Sequence, residues 1–124
     1  MNGNRFFFDT NAIIAYLGGN TNIQEAIANA SWIGTSVITV IEFLSFSELS
    51  NNDLLLFNIF LNRIEVIGIS NNLGFLEALA IFKLESKLKL PDALIAGHAM
   101  QLQATLIFND KHFQNINKLS VLHF

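Results

Sequence analysis

The chain has 124 residues, a length that suits a single domain, and we predict one domain over residues 1–124. Hydrophobic residues make up 52% of the chain and charged residues 14%, which excludes intrinsic disorder and gives the domain more apolar surface than it can easily bury. The net charge of −3 argues against a protein that binds nucleic acid by bulk positive charge, and the absence of cysteine excludes disulfide scaffolds and thiolate metal sites.

No segment of the sequence is suited to entering a membrane. Only three phenylalanines stand between Arg5 and Asp9, too few for the apolar region of a signal peptide. The long uncharged stretches, such as 26–41, contain Asn, Ser and Thr and fall short of the roughly 18 apolar residues that a membrane span needs. We therefore expect a cytoplasmic protein with no membrane association.

Strands and helices are predicted to alternate along the chain. Short apolar runs predict strands at 5–8, 32–37, 64–69, 105–108 and 119–123. Apolar spacing and capping residues predict helices at 10–17, 21–30, 39–48, 54–62, 70–87 and 91–103, and a loop that could hold a short helix at 109–117. Two of these helices are expected to open with capping boxes, at Thr21 to Gln24 and at Thr39 to Glu42. The predicted class is α/β, with a mostly parallel central sheet of four to five strands flanked by helices on both faces.

Four of the ten acidic residues fall where a parallel sheet binds ligands, outside the carboxyl ends of its strands. Asp9 ends the first strand, Asp110 follows the strand at 105–108, and Glu42 and Asp92 are predicted in the first turns of helices. Oxygen ligands without His or Cys suit Mg²⁺ or Mn²⁺, and carboxylates holding such ions can activate a water for attack on a phosphodiester. Each acid alone could equally be a turn, cap or helix-dipole residue, so the spacing leaves both interpretations open.

Four local sequences resemble, in order and across the whole chain, the motifs of PIN-domain ribonucleases. They are Phe8-Asp9-Thr10-Asn11, Ser36 to Leu44, Leu88 to Ala96 and Leu106 to Phe113. Within that family the sequence is most similar to the VapC-like toxins of VapBC toxin–antitoxin modules. The resemblance implies a PIN-like domain and a Mg²⁺- or Mn²⁺-dependent endoribonuclease, a hydrolase that cuts structured RNA and is held inactive by an antitoxin protein.

The resemblance also implies which residues form the site. The residues that match the family's catalytic and metal-binding acids are Asp9, Glu42, Asp92 and Asp110. Asn11 matches an asparagine that helps to orient these acids in the family. Phe108 departs from the family, which usually has Thr or Ser near the fourth acid.

Other polar residues lie near the predicted acids. Lys87 and Lys89 precede Asp92 and Lys111 follows Asp110, so all three are candidates for contacts with RNA phosphates, the alternative being solvated helix ends. His98 lies six positions beyond Asp92, about 240° around the helix, so it is expected to point away from the acids and to be a core or peripheral residue.

The segment 53–62 carries apolar residues on every side of a helix. Its apolar positions are 54, 55, 56, 57, 59, 60 and 61, which cover the full circle at about 100° per residue, whereas a surface helix needs only an apolar stripe. The preceding helix adds Phe43, Leu44, Phe46 and Leu49. We predict that this helical hairpin binds another chain, either a second copy in a homodimer or an antitoxin. The alternative is a tight helical layer that hides these residues internally.

Two functions from different classes therefore compete. One is an active toxin ribonuclease, which the complete set of acids favours. The other is a non-catalytic PIN-like scaffold that acts through the helical hairpin, which Phe108 favours. A phosphoryl-transfer receiver or phosphatase is disfavoured, because Asp9-Thr10-Asn11 supplies neither paired acids nor an Asp-x-Asp nucleophile.

Overall fold

The fold is built on a parallel five-stranded sheet. The computed structural model describes residues 4–109, 113, 116 and 118–124. Its strands are β1 (Arg5–Phe8), β2 (Trp32–Ser36), β3 (Glu65–Ile67), β4 (Thr105–Phe108) and β5 (Val121–His123). They lie in the order β3-β2-β1-β4-β5, and every neighbouring pair is parallel. The two edge strands, β3 and β5, have three residues each.

Helices connect the strands and cover both faces of the sheet. They are α1 (Thr10–Leu17), α2 (Thr21–Ile27), α3 (Val37–Leu44), α4 (Asn51–Leu61), α5 (Leu73–Ser86) and α6 (Leu90–Gln101). The predicted α/β class, with a parallel sheet between helical layers, is confirmed. The short helix expected within 109–117 falls mainly outside the described residues. In the described part of the chain no helix combines the length and the apolar character that crossing a membrane requires.

The consecutive phenylalanines of β1 anchor both layers of the core. Phe7 packs with the buried alanines of α6 on one face, whereas Phe6 and Phe8 pack with Ile13 and Phe57 on the other. Successive residues of a strand point to opposite faces. A central strand covered on both sides therefore needs an uninterrupted apolar run, and the sequence of β1 meets that requirement.

The predicted capping box of α2 is wrong, because the N-cap lies one residue before Thr21. Asn20 is the N-cap, and its side-chain oxygen accepts a hydrogen bond from the backbone N–H of Ile23 at 3.0 Å. Thr21 is the first residue of the helix. An asparagine caps at least as well as a threonine, so the turn that follows α1 selects the earlier position.

The predicted start of α3 at Thr39 is also wrong. Strand β2 ends at Ser36, which pairs with Ile67 of β3, and the Ser36 hydroxyl then caps α3 by accepting from the N–H of Ile38 at 3.1 Å. Thr39 is the third residue of the helix and is fully buried. The earlier start moves Glu42 from the first turn, where it was predicted, into the second turn of α3.

Candidate active site

The carboxyl ends of β1 and β4 meet at the point where the order of the sheet reverses. From β1 the chain moves outward to β2 and β3, and it returns to the other side of β1 with β4. Phe8 is level with Thr35 of β2 and with Ile107 of β4, so the residues that follow these positions share one edge. Such a switch point is where open α/β sheets bind their ligands.

Asp9 lies at the centre of this edge, directly after β1. It is the N-cap of α1, and its Oδ1 accepts a hydrogen bond from the backbone N–H of Ala12 at 2.7 Å. The side chain is only 8% exposed. The start of α1 therefore fixes the orientation of this carboxylate.

Glu42 is joined to the same edge through Thr10. The Thr10 hydroxyl donates a hydrogen bond to Oε1 of Glu42 at 2.7 Å, and Thr10 is the residue next to Asp9. Glu42 itself is exposed on α3. Glu42 is thus hydrogen-bonded to the residue that follows Asp9 in the chain.

Asp92 approaches the edge from the other face of the sheet. It lies half-buried in the first turn of α6, one residue after Pro91. Helix α6 leads into β4 through a short link and packs on the face that carries Phe7 and Phe108. Because such a helix runs antiparallel to the strand that follows it, its first turn lies at the carboxyl edge, on the side opposite α1 and α3.

The donor atoms suit a hard divalent cation. Asp9, Glu42 and Asp92 offer only carboxylate oxygens, the ligands that Mg²⁺ and Mn²⁺ prefer. Within the ranges that the structure describes, no three acidic or histidine side chains form a group able to hold a metal ion. Asp110, the fourth predicted acid, lies outside the described residues, as does Lys111. The carboxylates of Asp9, Glu42 and Asp92 are therefore suitable ligands for Mg²⁺ or Mn²⁺. The role of Asp110 as a fourth ligand stays a prediction.

The remaining predicted site residues flank these acids. Asn11 is exposed in the first turn of α1, two residues after Asp9. Lys87 ends α5 in a left-handed conformation with φ 62°, and Lys89 is the N-cap of α6, without a side-chain capping bond. Both lysines are exposed close to Asp92 in the chain. Their contact with RNA and the orienting role of Asn11 stay predictions.

Two hydroxyl residues, one on α1 and one on α3, were not predicted from the sequence to have these surroundings. Thr10 carries the link to Glu42, but its partner is 32 positions away, so no local pattern could reveal the contact. Thr39 is fully buried, and its Oγ1 has no hydrogen-bond partner among the described residues.

Phe108, the departure in the fourth motif, is a core residue. Its side chain is fully buried, and it makes edge contacts with Phe113 at 5.0 Å and with His123 at 5.9 Å between ring centroids. A phenylalanine fills this volume, whereas a Ser or Thr would leave a cavity in the same packing.

His98 lies in the core, one of the two positions that the helix geometry predicted. Its ring stacks on Phe75 of α5 with centroids 5.3 Å apart and meets the edge of Phe7 at 6.4 Å. The residue is 1% exposed, and neither ring nitrogen has a hydrogen-bond partner among the described residues. Burial lowers the pKa of His98 from its usual value of 6.5.

This lowered pKa predicts an acid-sensitive contribution to stability. Below the unfolded pKa of 6.5, the unfolded chain binds a proton at His98 that the folded chain does not bind. The free energy of unfolding should therefore fall as pH falls through that value, by at most about 1.4 kcal/mol per pH unit, and this contribution should be constant at higher pH.

Denaturant unfolding of wild type and His98→Phe at about pH 7.5 and about pH 5.5 measures this effect. The phenylalanine keeps an aromatic ring beside Phe75, and the other two histidines remain in both proteins. We expect wild type to lose more stability than His98→Phe on acidification. An equal loss in the two proteins would contradict a neutral buried His98.

An apolar groove of about 500 Å³ lies between α1, α3 and α4. Its apolar lining comprises Ile14, Leu17, Phe43, Phe46, Leu49 and Leu56, with Glu48 and Asp53 also on its wall. On α4, Phe57 and Phe60 are buried, whereas Leu55, Leu56 and Ile59 are exposed. The alternative in which the helical layer hides all its apolar residues is therefore wrong.

Comparison with known proteins agrees with the fold. The family described as PIN domain matches residues 6–119. VapBC2 from Rickettsia felis, solved with a DNA fragment from its promoter, is similar with 25% identity and a TM-score of 0.80, over 97% of this chain and 98% of that one. A toxin–antitoxin complex from Klebsiella pneumoniae shows 28% identity and a TM-score of 0.75, over 94% of each chain.

A third similar structure is VapBC-1 from nontypeable Haemophilus influenzae, with 26% identity and a TM-score of 0.71 over 96% of this chain and 97% of that one. No curated protein matches the sequence. The resemblance to PIN domains and to VapBC toxins that the four motifs predict is confirmed.

Proposed function

Because this chain belongs to the PIN domain family, we propose that it is a divalent-metal-dependent endoribonuclease, the cytoplasmic toxin of a toxin–antitoxin pair that cuts structured RNA. The observation that carries the proposal is the placement of Asp9 beside the Thr10–Glu42 hydrogen bond at the switch point of the sheet. The similarity to toxin–antitoxin complexes from three bacteria supports the toxin role.

In this proposal Asp9, Glu42, Asp92 and Asp110 hold Mg²⁺ or Mn²⁺. When bound, the ion supplies a Lewis acid for the phosphodiester and lowers the pKa of the attacking water. The chain holds Asp9 in place through the Ala12 N–H and Glu42 through Thr10. His98 takes no part as a base, because it is enclosed by Phe75 and Phe7.

Substrate binding in the proposal depends on few basic groups. Lys87 and Lys89 stand before the helix of Asp92, and Lys111 follows Asp110, so all three could bind phosphates that flank the cut. Asn11 would help to orient the acids. Binding that uses few phosphate contacts should depend only weakly on salt, as the net charge of −3 already suggests.

The antitoxin is proposed to bind in the groove between α1, α3 and α4. This groove is apolar, and the exposed side chains of Phe46 and Leu56 line it. Leu73, Ile81 and Leu84 are exposed on α5, and we propose that this separate apolar surface forms the contact of a homodimer. Exposed apolar patches of this kind mark protein–protein contacts.

A second candidate function is a non-catalytic scaffold that acts through the α3–α4 hairpin. Its support is the apolar groove beside the hairpin, which is lined by exposed side chains of Phe46 and Leu56. This function needs the partner surface and does not need the acids.

Cleavage assays with purified chain and structured RNA separate the two functions. We expect cleavage with Mg²⁺ or Mn²⁺, its loss in excess EDTA and its return when excess Mn²⁺ is added. Cleavage that persists in EDTA would contradict the metal mechanism. A folded chain that binds an antitoxin but cleaves no RNA would support the scaffold.

A further inference from the structure

Thr10 and Glu42 form a side-chain hydrogen bond between two helices that are far apart in sequence. The Oγ1–Oε1 distance is 2.7 Å, and 32 positions separate the residues. Thr10 is the first residue of α1, directly after the cap residue Asp9. The start of α1 therefore carries both the capping carboxylate of Asp9 and the hydroxyl that binds Glu42.

The Thr10 hydroxyl is a donor that can fix the orientation of Glu42. It is exposed in the second turn of α3, and a glutamate side chain in solvent samples many rotamers. A charge-assisted hydrogen bond from a hydroxyl to a carboxylate is short and directional. Thr10 has a branched side chain with few χ1 rotamers, so it can hold the Glu42 carboxylate in one direction relative to Asp9.

The bond leaves Glu42 able to bind a cation. The Thr10 hydroxyl has one hydrogen and gives it to Oε1, whereas a carboxylate has about four lone-pair positions on its two oxygens. Carboxylates that bind metals are commonly held by hydrogen bonds of this kind, and loss of the supporting group typically lowers metal affinity by about 10- to 100-fold.

We propose that Thr10 is a positioning residue, which holds Glu42 beside Asp9 in the orientation that binds the divalent ion. This inference rests on the proposed function, because it assigns Glu42 to a metal site. The competing explanation is that the Thr10–Glu42 hydrogen bond only holds α1 and α3 together. In that case loss of the bond would lower stability alone, whereas loss of a positioning residue would lower metal affinity.

The test compares Thr10→Val, which keeps the shape of the side chain but removes the donor, with Thr10→Ser, which keeps the donor. For the full chain, Mn²⁺ is titrated while the melting temperature is followed, and the Mn²⁺ dependence of RNA cleavage is measured separately. We expect Thr10→Val to raise the Mn²⁺ midpoint about 10- to 100-fold and Thr10→Ser to stay close to wild type. Both melting temperatures in EDTA should stay close to that of wild type.

A double-mutant cycle adds specificity to the test. In a Glu42→Ala background, Thr10→Val should cause no further rise in the Mn²⁺ midpoint, because the carboxylate that Thr10 holds is gone. If Thr10→Val does not fold, Thr10→Ala replaces it against the same Thr10→Ser control.

The outcomes separate the inference from the function on which it rests. A Thr10→Val chain with the wild-type Mn²⁺ midpoint overturns the role of Thr10 and leaves the nuclease proposal standing. A further effect of Thr10→Val in the Glu42→Ala background also overturns that role. A wild-type chain that neither responds to Mn²⁺ nor cleaves RNA overturns the proposed function, and the inference with it.

Discussion

Replacing Asp9 by Asn is expected to lower divalent-dependent RNA cleavage by more than about a hundredfold while leaving the fold intact. Asn has the size of Asp and caps helices equally well, so its side-chain oxygen can still accept from the N–H of Ala12. The substitution removes the negative charge that would hold the cation. Initial cleavage rates with Mn²⁺ and the melting temperature in EDTA measure the two effects separately.

Asp92→Asn should behave in the same way, because it removes the carboxylate that α6 brings to the edge. Glu25→Gln is the matched control, since it neutralises an exposed acid on α2 and should keep wild-type cleavage. If either Asp variant cleaves RNA at nearly the wild-type rate, the assignment of that residue to the metal site is wrong.

Leu56 and Phe60 lie one turn apart on α4, and replacing each by glutamate is expected to have different consequences. Phe60→Glu should unfold the chain, whereas Leu56→Glu should prevent association. Phe60 is 5% exposed, and its ring lies 5.2 Å from Phe8 and 5.3 Å from Tyr16 between centroids. Phe60→Glu would bury an unpaired charge, so we expect a loss of at least about 3–5 kcal/mol in the free energy of unfolding and an unfolded chain. Leu56 is 37% exposed on the wall of the groove. Leu56→Glu should fold normally and fail to bind its partner.

Circular dichroism measures folding in this pair, while light scattering and co-purification with a co-expressed antitoxin measure association. The two variants carry the same new charge on the same helix, so neither the charge nor the helix explains a difference between them. An unfolded Leu56→Glu chain would show that Leu56 belongs to the core. A folded Leu56→Glu chain that still associates fully would show that the partner binds elsewhere.

Strong local patterns predicted most of the fold. The apolar runs at 5–8 and 105–108 are buried on both faces, and both strands have the predicted bounds. Helix α1 also has its predicted bounds, because the spacing of its apolar residues and the glycines after Leu17 agree. In each of these elements, the local preference and the tertiary packing favour the same structure.

Competing local signals explain why the predicted start of α3 was wrong. Ser36 and Thr39 are both acceptable caps, and the preference between them is small. Strand pairing determines which of the two residues caps α3, because β2 ends at Ser36, which pairs with Ile67 of β3. The local sequence around a residue does not indicate which residue of another strand pairs with it.

The candidate site was predictable in type and only partly in geometry. The motifs predicted which acids form the site, and that assignment stays a prediction, whereas the hydrogen bond from Thr10 to Glu42 exists only after α1 and α3 pack together. Similarly, the all-round apolar pattern of α4 could not show which side faces inward. Packing against the aromatic ring of Phe43 selects Phe57, whose ring stacks on it at 3.9 Å between centroids.

The short edge strands have a consequence for how this apolar chain avoids aggregation. An edge strand exposes unpaired backbone groups on which another chain can add a strand, and a three-residue edge offers only a small template. Strand β3 also carries the exposed charge of Glu65. The surplus apolar surface lies instead on helices, in side chains such as Leu55, Leu73 and Leu84. We therefore expect that any self-association of this chain occurs through helix surfaces, and that extension of the sheet into fibrils is disfavoured.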